Sequence, residues 1–587
     1  MFDTMKPFWL DGNFGWYGAG RNNRGVVLCG TFGYEQHTVH RWWRDLSEGI
    51  AAAGCAVARF DYPGEGDSED TPVRLASACD AIRGAVRVLR DEAKAEEIVL
   101  VGLRFGATLA ALVAAEGGVD RLVLLAPFTR GRAYLREMEM QARLVDIEPD
   151  GTPLVKRPGL LSVGGFSVNA DLKEDVAQID LCRAARPPAP RILLLGPDLA
   201  HLAAKFTQQG SRAEAGEFPR LGCLLTDAHQ SSMPEATRTR ILDFVSEDAA
   251  ERPGRSLCPP AADTTMTGAG WSEAPLRFGN GLFGIRCQPP AVLPRTPAVL
   301  FVNLGAFVHS GHGRHTTTLA RTLARFGVTS LRMDLRGVGD SADRPDGESP
   351  LYKLDAVGDL RAAIDVLTED TARPVIVVGA CNGAYLAFHA ICQDPRITAA
   401  VLINLYCFDW ELTHGGESYG AKPARHISAY AAMLLKWGTW RRLLTGAAPV
   451  GKIVRSLARR STARLIDKFV KPAGSNERSR SISARIADVR RRGARLVVIY
   501  SAGDLGLVDL RTQLGSLDEA AAILGEPVRV IADADHAFSA EPAQAALLHE
   551  LRNLTAPRLA EYQTSEQSNP SSAGRISIAL QGPLRTA

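Results

Sequence analysis

The residue types best suited to chemistry sit in one compact run. Val375–Gly383 reads V-I-V-V-G-A-C-N-G: an apolar, strand-like stretch ends in small residues, then Cys381, then a glycine two positions on. A helix-like stretch, Ala384 to Ile391, follows. A strand–turn–helix of this kind holds its central residue on a sharp turn at a helix N-terminus, where the dipole favours thiolate, the reactive form of a cysteine. The backbone N–H of Asn382 is placed to meet a developing oxyanion. A second donor is expected from the loop after the first central strand, Asn303 to Ala306, with Leu304 as the candidate. A buried structural thiol is the plain reading of a lone cysteine; the turn around Cys381 argues for the reactive one.

A nucleophile of this kind needs a base and a carboxylate to orient that base. Asp504 follows the apolar run Leu496–Tyr500, and His536 follows Val528–Ile531 in A-D-A-D-H-A-F-S. Both fall at strand ends. Asp509 is a second acid candidate, and Asp535 reads as a loop residue. A literal G-x-S-x-G at Gly416–Gly420 has no strand before it, and Ala421-Lys422-Pro423 after it starts no helix well, so it is rejected as a catalytic turn.

The elements that must position these groups occur twice. Arg59–Ser68 (R-F-D-Y-P-G-E-G-D-S) returns 273 positions later as Arg332–Ser341 (R-M-D-L-R-G-V-G-D-S), and the preceding strand repeats at the same offset, G-V-V-L-C-G at Gly25 against A-V-L-F-V-N at Ala298. G-L-R-F-G at Gly102 matches G-A-C-N-G at Gly379, Asp198 matches Asp504, and His229 matches His536. The offset widens by about 30 residues between turn and acid, so the second copy carries an insertion, at about 408–492. An offset this large means two whole domains rather than a solenoid. The expected division is a first domain at 1–247, a Pro/Gly/Thr/Ala-rich linker at 248–272, a second domain at 273–556, and a disordered tail at 557–587.

In the first copy, Val26–Cys29, Ala56–Phe60, Ile98–Val101, Leu122–Leu125 and Ile192–Leu195 read as strands, with helical patterns such as Ser77–Arg90 and Ala107–Ala115 between them. Continuous apolar strands separated by helices predict an α/β fold, a mostly parallel sheet covered on both faces. In such sheets chemistry sits at the C-terminal strand ends, where the repeated motifs fall. The first copy has Arg104 in the place of Cys381. A guanidinium cannot act as a nucleophile, so Arg104, Asp198 and His229 read as a degenerate site. Either Arg104 binds an anion there, or the domain is retained for packing. The absence of a phosphate-binding glycine loop favours packing.

The near-neutral charge of +3 gives no argument for nucleic-acid binding, and no apolar run reaches the roughly 18 residues of a membrane span. Ten scattered cysteines form no C-x-x-C pair and read as buried thiols of a cytoplasmic protein. No metal or cofactor is expected. The stretch Lys436–Arg464 lies in the insertion and has no acid. It would suit an anionic acyl donor, a coenzyme A thioester or an acyl-carrier protein, or else an anionic membrane surface or plain solvent.

The G-D-S after the second strand, the turn, the late G-D and the late D-H resemble the α/β-hydrolase superfamily across nearly all of both repeats. The resemblance implies two tandem α/β-hydrolase domains, the second with a helical cap insertion, and the chain order nucleophile, acid, histidine. The first copy also resembles hydrolases associated with exosortase and exopolysaccharide systems, at F-G-Y-E-Q (Phe32–Gln36), G-L-R-F-G-A (Gly102–Ala107) and P-F-T-R-G-R-A-Y-L-R-E (Pro127–Glu137). The Cys381 turn is similar to those of dienelactone hydrolases and polyhydroxyalkanoate synthases, which pair cysteine with aspartate and histidine. The resulting expectation is an acyl hydrolase, esterase or thioesterase, working through a Cys381–His536–Asp504 triad. An acyltransferase using the same thiol and a non-catalytic scaffold are the alternatives.

Overall fold

The computed structural model describes residues 5–145, 161–251, 264–410 and 475–555, apart from 226–227, 229–230, 232, 293–295, 533 and 540–542. The basic stretch Lys436–Arg464, the G-E-S-Y-G motif, His229 and the expected tail lie outside the described residues.

Two sheets carry the chain. The first runs through β1 (Met5–Leu10), β2 (Asn13–Gly18), β3 (Arg24–Cys29), β4 (Ala56–Phe60), β5 (Glu97–Leu103) and β6 (Arg121–Leu125). After a small hairpin of β7 (Leu161–Val163) and β8 (Phe166–Val168), it closes with β9 (Arg191–Leu195) and β10 (Arg212–Gly216). The second comprises β11 (Met266–Gly268), β12 (Trp271–Phe278), β13 (Leu282–Gln288), β14 (Ala298–Phe301), β15 (Ser330–Asp334), β16 (Val375–Ala380), β17 (Ile397–Ile403), β18 (Arg495–Ser501) and β19 (Arg529–Ile531). Their spatial orders are β1-β2-β4-β3-β5-β6-β9-β10 and β11-β12-β13-β15-β14-β16-β17-β18-β19. Apart from β11, the second order repeats the first strand for strand. In each sheet the outer strands β1/β2/β4 and β11/β12/β13/β15 pair antiparallel and the rest pair parallel.

The parallel strands are the continuous apolar runs of the sequence. Val26–Leu28, Ile98–Val101, Val299–Leu300 and Val497–Ile499 are almost wholly buried, as both faces of a helix-covered sheet require. The antiparallel β1, β2, β12 and β13 mix tryptophan, glycine and charge and carry no such run. Strand structure begins at Met266, within the segment read as a linker. The end of the expected cap, Ser475–Arg491, is a helix that buries Ile482, Ile486 and Val489 in the core of the second sheet. Among the described residues no helix is long and apolar enough to cross a membrane.

The repeated G-D-S segments face each other across the domain boundary. Arg59 of β4 pairs with Asp340, and its counterpart Arg332 of β15 pairs reciprocally with Asp67 (2.8 Å). Arg44 Nη1 donates to the carbonyls of Gly339 (3.0 Å) and Ser341 (2.6 Å), and in the opposite direction Arg321 donates to those of Asp67 (2.7 Å) and Ser68 (2.9 Å). Ser68 and Ser341 each accept a backbone N–H, from Phe14 and Phe283, whose rings stack at 6.3 Å. This arrangement is that of an isologous two-fold interface, formed here between the two halves of one chain.

Candidate active site

Cys381 sits between β16 and the helix Asn382–Gln393 at φ 53°, ψ −113°, a conformation that non-glycine residues rarely adopt and that the surroundings must hold in place. Its N–H donates to the Ile403 carbonyl (2.9 Å) and its carbonyl accepts from Tyr385 N (3.1 Å). The flanking glycines are required by contact: a Cβ on Gly379 would lie 2.2 Å from Gly383, and one on Gly383 would lie 2.6 Å from Asn303 O. The loop that carries Leu304 therefore abuts the turn. Asn382 occupies the first helical position, where a backbone N–H has no intrahelical acceptor.

The late acid and histidine arrive at the same place. His536 Nδ1 donates to Asp504 Oδ2 (2.6 Å), and Asp504 Oδ1 accepts from Gly506 N (2.8 Å). Asp504 is buried, whereas the His536 side chain is 45% exposed. With Nδ1 committed to Asp504, the His536 ring is close enough to Cys381 for the two groups to shift each other's ionisation. Burial opposes ionisation of both groups. The attraction between them prevails, so the Cys381 thiol is shifted down and the His536 ring up, the latter aided by Asp504. Asp509 does not join this set; burial pushes its carboxyl up to about 7. Asp535 caps its own loop, accepting from Ser539 N at 2.6 Å.

Sequence reasoning missed Tyr352. Its hydroxyl lies 3.2 Å from Cys381 Sγ, its N–H donates to Asn382 Oδ1 (2.6 Å), and its ring stacks on Trp410 at 4.2 Å. The residue is held at φ 57°. The one local signal was an aromatic in a polar loop after the G-D-S motif, and that does not specify a contact 29 positions away.

The equivalent turn of the first domain has the same backbone, Arg104 at φ 52°, ψ −112°. Arg104 Nε donates to buried Glu35 (3.2 Å), Nη2 pairs with Glu137 (2.7 Å), and the guanidinium lies 5.5 Å from the Tyr134 ring centroid. The chain's own carboxylates thus engage Arg104. Asp198 lies exposed in the turn after β9.

Among the described residues, one group with possible metal ligands comes together: His309, Asp334 and Asp340, each with a ligand atom within 4.8 Å of the others. They do not fit a metal. Both ring nitrogens of His309 face carboxylates, Asp334 at 2.7 Å and Asp67 at 2.6 Å, which calls for an imidazolium with no lone pair to offer.

Residues 296–439 match the family model described as serine aminopeptidase, S33, about a quarter of the chain. No curated protein matches the sequence. Solved structures similar to the chain include the esterase Pf2001 of Pyrococcus furiosus (14% identity, 41% of this chain and 90% of that one, TM-score 0.28). Two others are Est1E of Butyrivibrio proteoclasticus with ferulic acid bound (16%, 41% and 100%, 0.30) and a dienelactone hydrolase of Anabaena variabilis (16%, 49% and 97%, 0.30). Scores this low carry no argument about substrate.

The family match corrects the functional expectation. The strand–turn–helix of the second domain lies in a segment that matches a family described by a serine nucleophile, so an acyl hydrolase or acyltransferase defined by a Cys381–His536–Asp504 thiol triad does not stand as the function, and neither does a cysteine nucleophile as its hallmark. The physical reason lies in how the turn works. Its glycines, strand end and helix N-terminus position whatever side chain stands there, and the family's chemistry runs from a hydroxyl, so a cysteine at the turn does not define the class.

Proposed function

We propose that the C-terminal domain hydrolyses a carboxylic ester or thioester whose acyl carbon sits over the turn at Cys381. His536 handles the proton of the attacking group and returns it to the leaving group, while Asp504 holds the ring in the required tautomer. The backbone N–H groups of Asn382 and Leu304 are the proposed oxyanion donors. The observation that carries this reading is the 2.6 Å bond between His536 Nδ1 and buried Asp504, at the mouth of a strained turn heading a helix. The N-terminal domain supplies no chemistry at Arg104. The acid-free basic stretch Lys436–Arg464 points to an anionic thioester, of coenzyme A or an acyl-carrier protein, as the substrate, and the free cysteines suit the cytoplasm. The likeness of the first copy to exosortase-associated hydrolases suggests exopolysaccharide assembly as the setting.

The test compares p-nitrophenyl butyrate and butyryl-coenzyme A as substrates of the natural chain, His536→Gln and Cys381→Ser. Turnover by the natural chain is expected to fall about 100-fold or more in His536→Gln. Cys381→Ser, which restores the family's hydroxyl, should keep turnover within about tenfold. Hydrolysis of neither substrate, or a His536→Gln variant as active as the natural chain, would refute the reading.

A further inference from the structure

The loop between β14 and the helix His315–Arg325 carries Leu304 at one end and His309 towards the other. Asp334 clamps both ends. Its Oδ1 accepts from Asn303 Nδ2 (2.8 Å) and His309 N (2.7 Å), and its Oδ2 pairs with His309 Nδ1 (2.7 Å). The far side of the same imidazole is held by the other domain. Asp67 Oδ2 lies 2.6 Å from His309 Nε2, while Asp67 Oδ1 accepts from Arg332 (2.8 Å) and Thr317 (3.1 Å).

With a carboxylate at each ring nitrogen, His309 must be charged to donate to both. Removing Asp67 leaves His309 Nε2 without its carboxylate and disfavours the buried imidazolium, which weakens the charge-assisted bond of His309 to Asp334.

The two domains grip each other through different imidazoles. In the first domain the counterpart of Asp334 is Asp61, which likewise accepts from the backbone N–H of its G-D-S aspartate (3.2 Å against 2.9 Å). The position matching His309 is Gln36; the first domain's own imidazole at this interface is His40, on the helix that follows its loop, whose Nε2 lies 3.2 Å from Asp340 Oδ2.

We infer that the N-terminal domain serves as a built-in positioning subunit for the C-terminal site: Asp67 holds His309, and through Asp334 it fixes the loop that presents Leu304 N–H. Its last step rests on the proposed function; the placement of the loop does not. Asp67 and His309 are positioning residues and touch no substrate.

The test uses the full chain and two readouts, hydrogen exchange of the amides in 303–311 and steady-state hydrolysis of p-nitrophenyl butyrate. In Asp67→Asn the loop amides should exchange about tenfold faster or more. The same variant should lose about tenfold in kcat with KM within about threefold, as expected for a misplaced oxyanion donor. Arg277→Met, which cuts the interdomain bond from β12 to the Met5 carbonyl (3.2 Å) away from this line, should leave both readouts within about twofold. If Asp67→Asn does not fold, His309→Gln is measured in its place, with the same expectations. Unchanged loop exchange in the Asp67 or His309 variant, or equal loosening in Arg277→Met, would overturn the inference. A natural chain without esterase turnover would refute the proposed function alone, since hydrogen exchange still decides whether Asp67 orders the loop.

Discussion

Arg104 and Cys381 occupy turns that agree within 1° in φ and in ψ. Each donates its N–H to the next strand, at Leu125 and Ile403, and each heads a helix. Each is flanked by glycines packed against backbone: a Cβ on Gly106 would meet Gly30 O at 2.1 Å, as one on Gly383 would meet Asn303 O at 2.6 Å. What differs is the company of the side chain. Arg104 is closed off by Glu35, Glu137 and Tyr134, while Cys381 faces Tyr352 and the His536–Asp504 pair. The comparison teaches that the strained turn belongs to the fold, held by sheet and glycines, and that chemistry is added or withdrawn through the side chains around it.

That contrast can be broken most forcefully at Arg104. Arg104→Met leaves buried Glu35 without its cation, and chemical denaturation should show a loss of about 3–5 kcal/mol, while hydrolysis by the second domain changes little. If stability holds, Arg104 does not replace the lost chemistry with a structural ion pair. The glycines test whether the two turns are equivalent. Gly106→Ala and Gly383→Ala should each destabilise by about 1–3 kcal/mol in urea melts, because the new methyl meets backbone rather than a movable side chain. A harmless substitution at either site would show that the turns are held differently.

The two copies place different imidazoles at the interface, His309 between Asp334 and Asp67 and His40 beside Asp340, and the first of these gives a pH signature. Burial alone would lower the His309 pKa, but Asp334 and Asp67 raise it well above the ordinary value. Its contribution to stability is therefore complete below about pH 6.5, the unfolded value. That contribution is lost as pH rises through the folded pKa, at up to about 1.4 kcal/mol per pH unit. Melts of the natural chain and His309→Gln from neutral to alkaline pH should converge; parallel curves would show that His309 is not held as a cation. The smallest effect sharpens the view of Cys381. With its pKa shifted down by His536, Cys381 should react with iodoacetamide at pH 7 about tenfold faster than Cys392, whose thiol burial pushes up. Peptide mass spectrometry reads the ratio, and His536→Gln should abolish the advantage.

Local pattern was enough to read the parallel strands, the duplication, the turn and the strand-end positions of Asp504 and His536. Continuous apolar runs, glycine spacing and chain order are all written within short windows, and the sheet's topology brings strand ends together once those windows are known. The antiparallel β1 and β2 were illegible because Trp9, Trp16 and Gly15 form neither an alternating nor a continuous apolar pattern. The partner of each charge was beyond reach as well. Arg104 finds Glu35 and Glu137, Cys381 finds Tyr352, and the two G-D-S motifs meet face to face with His309 between Asp67 and Asp334, since a buried ion is neutralised by whatever packing places beside it. Spacing along the chain does not encode that choice. The sequence determined which side chains stand at the strand ends, and the tertiary structure alone decided which of them face one another.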